Sequence, residues 1–219
     1  MATYVLIHGA GDVGWYWHLV EAALRERGHD VVAPDLPCED DSAGLAQYAE
    51  AVIDAIGDMG DLVVVAQSFG AFTAPLVCER AAAEILILVA PMIPAPEESP
   101  ADYWTNTGYA DEERESFDDE IALFYHDVPS ELAAEALKRG REQSEARMHD
   151  PSPLKAWPDV PTRVLLCRDD RLFPPPFIRR IAEERLGITP DEIDGGHTPA
   201  LSRPAELAER LEAYRVAVL

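Results

Sequence analysis

The chain has 219 residues, a length that suits one α/β domain with an inserted segment. Acidic residues outnumber basic ones 41 to 18, which gives a formal net charge of −23 at pH 7. Such a surface repels phosphate backbones and anionic lipids, so we expect no nucleic-acid partner and no membrane partner. The three cysteines are widely separated and odd in number, which argues against a disulfide framework or a metal site. The chain opens without a basic targeting segment, and we expect a cytoplasmic protein.

Short, continuously apolar segments alternate with amphipathic segments along most of the chain. This order predicts an α/β fold, with a mostly parallel sheet of about six strands flanked by helices. The strands are predicted at 4–8, 31–33, 62–66, 85–90, 163–167 and 188–193. The helices are predicted at 15–27, from an N-cap at Ser42 to 56, and at 68–80, 175–186 and 204–218.

The segment 92–157 interrupts this alternation after the fourth predicted strand. It begins rich in proline and continues with helical patterns and a concentration of aromatic residues. We therefore predict a helical cap at 92–157, inserted into an α/β-hydrolase-like core formed by 1–91 and 158–219. The aromatic residues, among them Trp104, Phe117 and Phe124, are expected either in the core of the cap or in a pocket wall.

Two motifs compete for the loop after the first strand. Residues 9–14 spell G-x-G-x-x-G, and Asp35 follows at the end of the second strand, which is the layout of a dinucleotide-binding turn. Bulky residues beginning at Trp15 follow the third glycine, where an approaching pyrophosphate needs small side chains. The same backbone can instead direct N–H groups at an oxyanion. A dinucleotide-dependent oxidoreductase that uses Gly9 to Gly14 therefore remains an alternative at this point.

Three polar residues, each in a loop after a predicted strand, favour the oxyanion interpretation. Ser68 lies in the sequence Ala-Gln-Ser-Phe-Gly between an apolar strand and a helix of small residues. This is similar to the G-x-S-x-G nucleophile elbow, with Ala66 in place of the first glycine. Asp170 follows the fifth strand and His197 precedes the last helix, which gives the order Ser, Asp, His of the α/β-hydrolase triad.

On these residues the chain resembles the α/β-hydrolase superfamily, and within it the branch of plant methylesterases, hydroxynitrile lyases and bacterial esterase-like relatives. The resemblance runs over nearly the whole chain. It implies that Ser68 is the nucleophile, His197 the general base and Asp170 the carboxylate that holds the imidazole. Asp169 is the competing acid, and the four-residue spacing to Pro174 favours Asp170. The backbone N–H groups of Ala10 and Phe69 would form the oxyanion hole.

The same resemblance bears on the reaction. The lyases of this branch carry a threonine where this chain has Gly9 and a lysine where it has Thr198. Without a nearby ammonium group nothing stabilises a departing cyanide, so an esterase is favoured over a lyase. The expected substrate-pocket residues are Gly9, Gln67, Trp104, Phe124 and Thr198.

The sequence thus predicts a serine hydrolase that cleaves a small, apolar carboxylic ester through an acyl-enzyme. We expect no cofactor and no metal, and the resemblance is compatible with a homodimer. Three alternatives stay open: lyase chemistry on the same fold, the dinucleotide-dependent oxidoreductase, and a non-catalytic protein that binds a small molecule.

Overall fold

The computed structural model describes residues 1–112 and 119–218. Phe117, one of the aromatic residues assigned to the predicted cap, lies outside the described residues. The sheet has the strand order β2-β1-β3-β4-β5-β6, and every neighbouring pair is parallel. This confirms the predicted α/β fold and its parallel sheet. The strands are β1 (Thr3–Ile7), β2 (Asp30–Val32), β3 (Leu62–Gln67), β4 (Ala83–Val89), β5 (Thr162–Cys167) and β6 (Asp191–Ile193).

Helices follow most of the strands and fill the interval between β4 and β5. The α-helices are α1 (His18–Glu26), α2 (Leu45–Ile56), α3 (Gly70–Cys78), α4 (Pro100–Asn106), α5 (Glu120–Phe124), α6 (Ser130–Arg139), α7 (Pro175–Leu186), α8 (Pro199–Ser202) and α9 (Pro204–Val218). Two 3-10 helices, at Gly14–Trp17 and Tyr109–Asp111, complete the described elements. No helix of the described residues is long and apolar enough to cross a membrane.

Both faces of the sheet are buried, which explains why the strands read as continuous apolar runs. Alternate residues of one strand point to opposite faces, so Val64 packs in one core cluster while Val63 packs in the other. The first cluster joins the sheet to α2, α3 and α7, and the second joins it to α1 and α9. The sheet is therefore held rigidly between two helical layers, and its carboxyl-terminal edge presents the loops that follow β1, β3, β5 and β6.

Most predicted element boundaries lie within two residues of the structure, and three differ more. The helix predicted at 15–27 is divided into a 3-10 turn and α1. Ser42 does not cap α2, because its hydroxyl donates to Asp40, and Gly44 is the N-cap instead. The Gly44 N–H donates to the side chain of Gln47, which supplies the end of the helix with a partner. The last strand begins at Asp191 rather than at 188.

Candidate active site

Ser68 occupies a strained turn between β3 and α3. Its φ angle is 51°, in the left-handed region that non-glycine residues rarely adopt. The turn is tight enough that a methyl group at Gly70 would lie 2.7 Å from the carbonyl oxygen of His8. Ala66, in contrast, is accommodated in β3, where it is fully buried and pairs with Ile7 and Leu88 of the neighbouring strands. The motif thus requires glycine two residues after the serine and tolerates alanine two residues before it.

The three predicted triad residues lie in one hydrogen-bonded chain. Ser68 Oγ is 3.0 Å from His197 Nε2, and His197 Nδ1 is 2.8 Å from Asp170 Oδ2. All three residues are buried, which excludes most competing water from these contacts. With Nδ1–H donating to the carboxylate, Nε2 is free to accept the proton of the serine hydroxyl. The geometry is that of a nucleophile, a base and an orienting acid.

Asp170, and not Asp169, contacts the imidazole. The second oxygen of Asp170 accepts hydrogen bonds from the backbone N–H groups of Leu172 and Phe173, both at 2.9 Å. These bonds fix the carboxylate at the start of the turn that leads to α7. The side chain of Asp169 is exposed and instead lies 3.3 Å from the Gly195 N–H, as its acceptor. Asp170 therefore holds the His197 side chain, and the adjacent Asp169 holds the backbone two residues before it.

The loop after β1 places Ala10 on the wall of the same cavity as Phe69. Among the described residues neither N–H has an assigned acceptor, so both are free to donate to a ligand. His8 braces this loop from below, because its Nδ1 lies 2.8 Å from the Gly9 carbonyl and its Nε2 accepts from the Leu36 N–H at 3.0 Å. Burial lowers the pKa of His8 to about 4, so the imidazole is neutral and structural.

The residues of the alternative dinucleotide motif bond to one another. The Gly14 N–H donates to Asp35 at 2.8 Å, and the other oxygen of Asp35 accepts from Arg141 at 2.7 Å. A methyl group at Gly14 would lie 2.0 Å from the Ala33 carbonyl oxygen, so this glycine serves the packing of the loop on β2. The Gly14 N–H, which a pyrophosphate would need, and the Asp35 carboxylate, which a ribose would need, are thus already engaged in hydrogen bonds within the protein.

A cavity of about 1150 Å³ opens above the serine. Its wall includes Ser68, His197, Ala10 and Phe69. It also includes all five expected pocket residues: Gly9, Gln67, Trp104, Phe124 and Thr198. Two of these five also have contacts that the sequence did not indicate. Gln67 Nε2 donates to the backbone carbonyl of His197 at 3.0 Å, and the Thr198 hydroxyl donates to the Phe124 carbonyl at 2.7 Å.

Sequence reasoning missed one part of the wall, the stretch from α6 to about residue 149. Gln143 reaches the loop after β1, where its side-chain oxygen accepts a hydrogen bond from the Gly11 N–H at 3.3 Å. The Arg141 N–H donates to the Gly11 carbonyl at 2.7 Å. These partners are more than 120 residues from the loop in sequence, and no local pattern around them signals the contact.

Asp12 is the acidic residue of the loop after β1, and it lines the cavity. Burial raises the pKa of its carboxyl group to about 7, which the hydrogen bond from the Val13 N–H only partly opposes. The nearby charge of Asp35 raises this pKa further. The sequence indicated that Asp12 flanks the site, but not that its charge would be so weakly compensated.

Metal ligands and reactive thiols are not part of this arrangement. Within residues 1–112 and 119–218, no group of three or more histidine, cysteine or acidic side chains could hold a metal ion. The three cysteines are free and buried, and burial raises the pKa of Cys78 to about 12.

Comparisons with known proteins identify the family of the chain. The model of the "Alpha/beta hydrolase family" matches residues 4–210. "Methylesterase 2" of Arabidopsis thaliana is 23% identical over 250 residues, which cover 96% of this chain and 94% of the relative. A rice protein named "Probable esterase PIR7A" (Oryza sativa subsp. indica) is 34% identical over 87 residues, but the match spans only 35% of this chain and 33% of the rice protein.

The fold comparison gives the same result over the full length. The crystal structure of polyneuridine aldehyde esterase superposes with a TM-score of 0.82 at 20% identity, and covers 97% of this chain and 98% of that one. At this identity the likeness establishes the fold. Together with the family match over nearly the whole sequence, it confirms the resemblance predicted from the motifs. The chain is a member of the alpha/beta hydrolase family.

Proposed function

We propose that this protein is a serine hydrolase that cleaves small, apolar carboxylic esters through an acyl-enzyme. The observation that carries the proposal is the continuous contact from Ser68 through His197 to Asp170, with distances of 3.0 and 2.8 Å, at the base of a cavity. The names of the relatives support it, because the Arabidopsis protein is a methylesterase and the rice protein is named as an esterase.

In the acylation step, Ser68 Oγ attacks the ester carbonyl while His197 Nε2 takes its proton. The carbonyl oxygen becomes an oxyanion that the N–H groups of Ala10 and Phe69 stabilise, each by about 3 kcal/mol. The imidazolium is held by Asp170 and then gives its proton to the departing alcohol, which leaves an ester between the acyl group and Ser68. Water, activated by His197, hydrolyses this ester and restores the serine.

We assign residues 92–157 as the cap that shapes the substrate pocket. Trp104 and Phe124 lie on the cavity wall from this segment, and their rings suit an apolar acyl or alcohol group. Phe124 also lies 5.6 Å from the His197 ring, measured between ring centroids, so a bound group packed on it would be close to the reacting atoms.

Lyase chemistry is the second candidate, and the contacts of Thr198 disfavour it. This residue stands where the lyases of this branch carry a lysine, and its hydroxyl is used by the Phe124 carbonyl. The cation on the described cavity wall, Arg141, is bound to Asp35 at 2.7 Å and to Glu39 at 3.7 Å. A departing cyanide would therefore find no free cation among these residues.

The test is covalent labelling by a fluorophosphonate, followed by intact mass, on the wild type, Ser68→Ala and Ser42→Ala. Ser42 is an exposed serine outside the cavity wall and serves as the matched control. We expect one adduct on the wild type and on Ser42→Ala, and none on Ser68→Ala. Loss of Ser68 should also lower kcat for p-nitrophenyl acetate by about four orders of magnitude. Hydrolysis that survives in Ser68→Ala would refute the proposal, and faster cleavage of a cyanohydrin than of any ester would favour the lyase.

A further inference from the structure

The cavity wall is strongly unbalanced in charge. Four acidic side chains line it, and the opposing basic side chains in the described wall are Arg141 and His149. Arg141 is engaged by Asp35 and Glu39, neither of which lines the cavity. The field inside the cavity is therefore negative, in a protein whose overall charge is already −23. The four wall acids are Asp12, Glu120, Glu142 and Glu145.

Of these acids, Asp12 belongs to the loop after β1, which also carries Ala10. It follows Ala10 by two residues in the loop that offers the oxyanion N–H. One of its carboxylate oxygens accepts from the Val13 N–H at 2.8 Å. The other has no hydrogen-bond or ion-pair partner among the described residues. A carboxylate with so little compensation is costly to keep charged, and the most effective compensation is a cation.

Among residues 1–112 and 119–218, the titratable groups that interact electrostatically with Asp12 include no cation. Tyr16 in the first 3-10 helix and Tyr125 after α5 are both close enough for the Asp12 charge to raise their pKa values, second to the effect of burial. Asp35, beyond β2, adds a further negative charge. Burial is the main cause of the raised pKa of Asp12, and the charge that acts on this carboxyl group, that of Asp35, is negative.

Aromatic rings share the cavity wall with this carboxylate. Tyr125 lines the cavity, and its ring centroid lies 6.4 Å from that of Phe124, with Trp104 also on the wall. Aromatic faces attract a quaternary or protonated amine through their quadrupole, and do so most strongly where water is partly excluded. A carboxylate together with such rings is the combination that recognises an ammonium group while still accepting an apolar body.

We propose that the cavity selects esters that carry a cationic nitrogen, and that Asp12 is the residue that determines this specificity. The proposal rests on the function proposed above, and narrows its substrate class from apolar esters to esters with an apolar body and an ammonium group. Esters that bear a free carboxylate are rejected by the same field.

The test compares acetylthiocholine with its uncharged isostere, the thioacetate S-(3,3-dimethylbutyl) thioacetate, in which carbon replaces nitrogen. We would measure kcat/KM for both at pH 8.5, where Asp12 is ionised, in the wild type, Asp12→Asn and Glu131→Gln. The last variant removes an exposed acid outside the cavity wall and so matches the change in net charge. The wild type should prefer the cation by about tenfold or more, and Asp12→Asn should bring the ratio close to one. Glu131→Gln should keep the wild-type ratio.

A second measurement covers the case in which choline esters do not fit the cavity. Phenyltrimethylammonium and its uncharged isostere tert-butylbenzene would be compared as inhibitors of p-nitrophenyl acetate hydrolysis. The cation should inhibit the wild type more strongly than the isostere, and Asp12→Asn should lose this difference. Equal inhibition by both compounds in the wild type, or a difference that persists in Asp12→Asn, would overturn the specificity role while leaving ester hydrolysis intact. Absence of hydrolysis that depends on Ser68 would instead overturn the function on which the inference rests.

Discussion

Asp127 accepts a hydrogen bond from the backbone N–H of Gly196 at 2.9 Å, directly before His197. Its second oxygen is buried and has no hydrogen-bond partner among the described residues. A side chain from the connection between α5 and α6 thus holds the backbone beside the candidate base. The neighbouring His126 lies against the backbone of Asp169, with its Nε2 3.0 Å from that carbonyl oxygen. Both triad loops are therefore contacted from the same short stretch.

We expect Asp127→Ala to lower kcat by about tenfold with little change in KM for a small ester, because the imidazole loses its backbone support and not a substrate contact. Asp127→Asn should retain most of the activity, since the amide oxygen can still accept from Gly196. Steady-state kinetics with p-nitrophenyl acetate measure both parameters. Glu131→Ala, at an exposed position of α6, is the control. An unchanged kcat in Asp127→Ala would contradict the positioning role.

The two neighbouring acids should differ sharply in their effect on kcat. Asp170→Asn removes the acceptor of His197 Nδ1–H and favours the wrong tautomer, so kcat should fall by about three to four orders of magnitude. Asp169→Asn leaves the imidazole contact in place and should stay within about tenfold of the wild type. The comparison is made at one pH with the same ester. Equal losses in the two variants would mean that the acid has been assigned wrongly.

The close approach at Gly70 should appear as a loss of stability. Gly70→Ala places a methyl group 2.7 Å from the His8 carbonyl oxygen and 2.9 Å from that of Ile7, and backbone cannot yield as a flexible side chain can. We expect the free energy of unfolding to fall by about 1–3 kcal/mol. At Gly60 an added methyl group meets no atom within 4 Å, so Gly60→Ala is the control and should change it by less than about 0.5 kcal/mol. Urea unfolding measures both, and equal effects would refute the argument.

Acid should destabilise the protein through His8. Its pKa is lowered from 6.5 to about 4 in the fold, so below pH 6.5 the unfolded chain binds a proton that the folded chain does not. Stability is therefore present above pH 6.5 and is lost as the pH falls towards 4. We expect the free energy of unfolding of the wild type, relative to His8→Gln, to fall by about 2 kcal/mol between pH 7.5 and 5. A difference that stays constant across this range would show that His8 is not a buried neutral imidazole.

The sequence predicted the features that depend on local pattern. The strands are short apolar runs because both sheet faces are covered, and Ser68, Asp170 and His197 could be found because each follows a strand in the expected order. The start of α2 was predicted wrongly because Ser42 and Gly44 are both acceptable N-caps. Only the contact of Gly44 with Gln47 distinguishes them. The support of Gly11 by Gln143 could not be predicted, since it joins residues that are 132 positions apart and no local pattern indicates their contact.

Three hydrogen bonds cross from residues 124–127 to the loops of the candidate acid and base, at Thr198, Gly196 and Asp169. The stretch that contributes Phe124 and Tyr125 to the cavity wall is therefore also hydrogen-bonded to the loops that carry the candidate acid and base. Exchange of this stretch with that of a relative would alter what the cavity admits and where the imidazole stands in one step. Substitutions in this stretch should for this reason change substrate range and turnover together. A graft made to broaden the substrate range should keep Asp127 in order to preserve turnover.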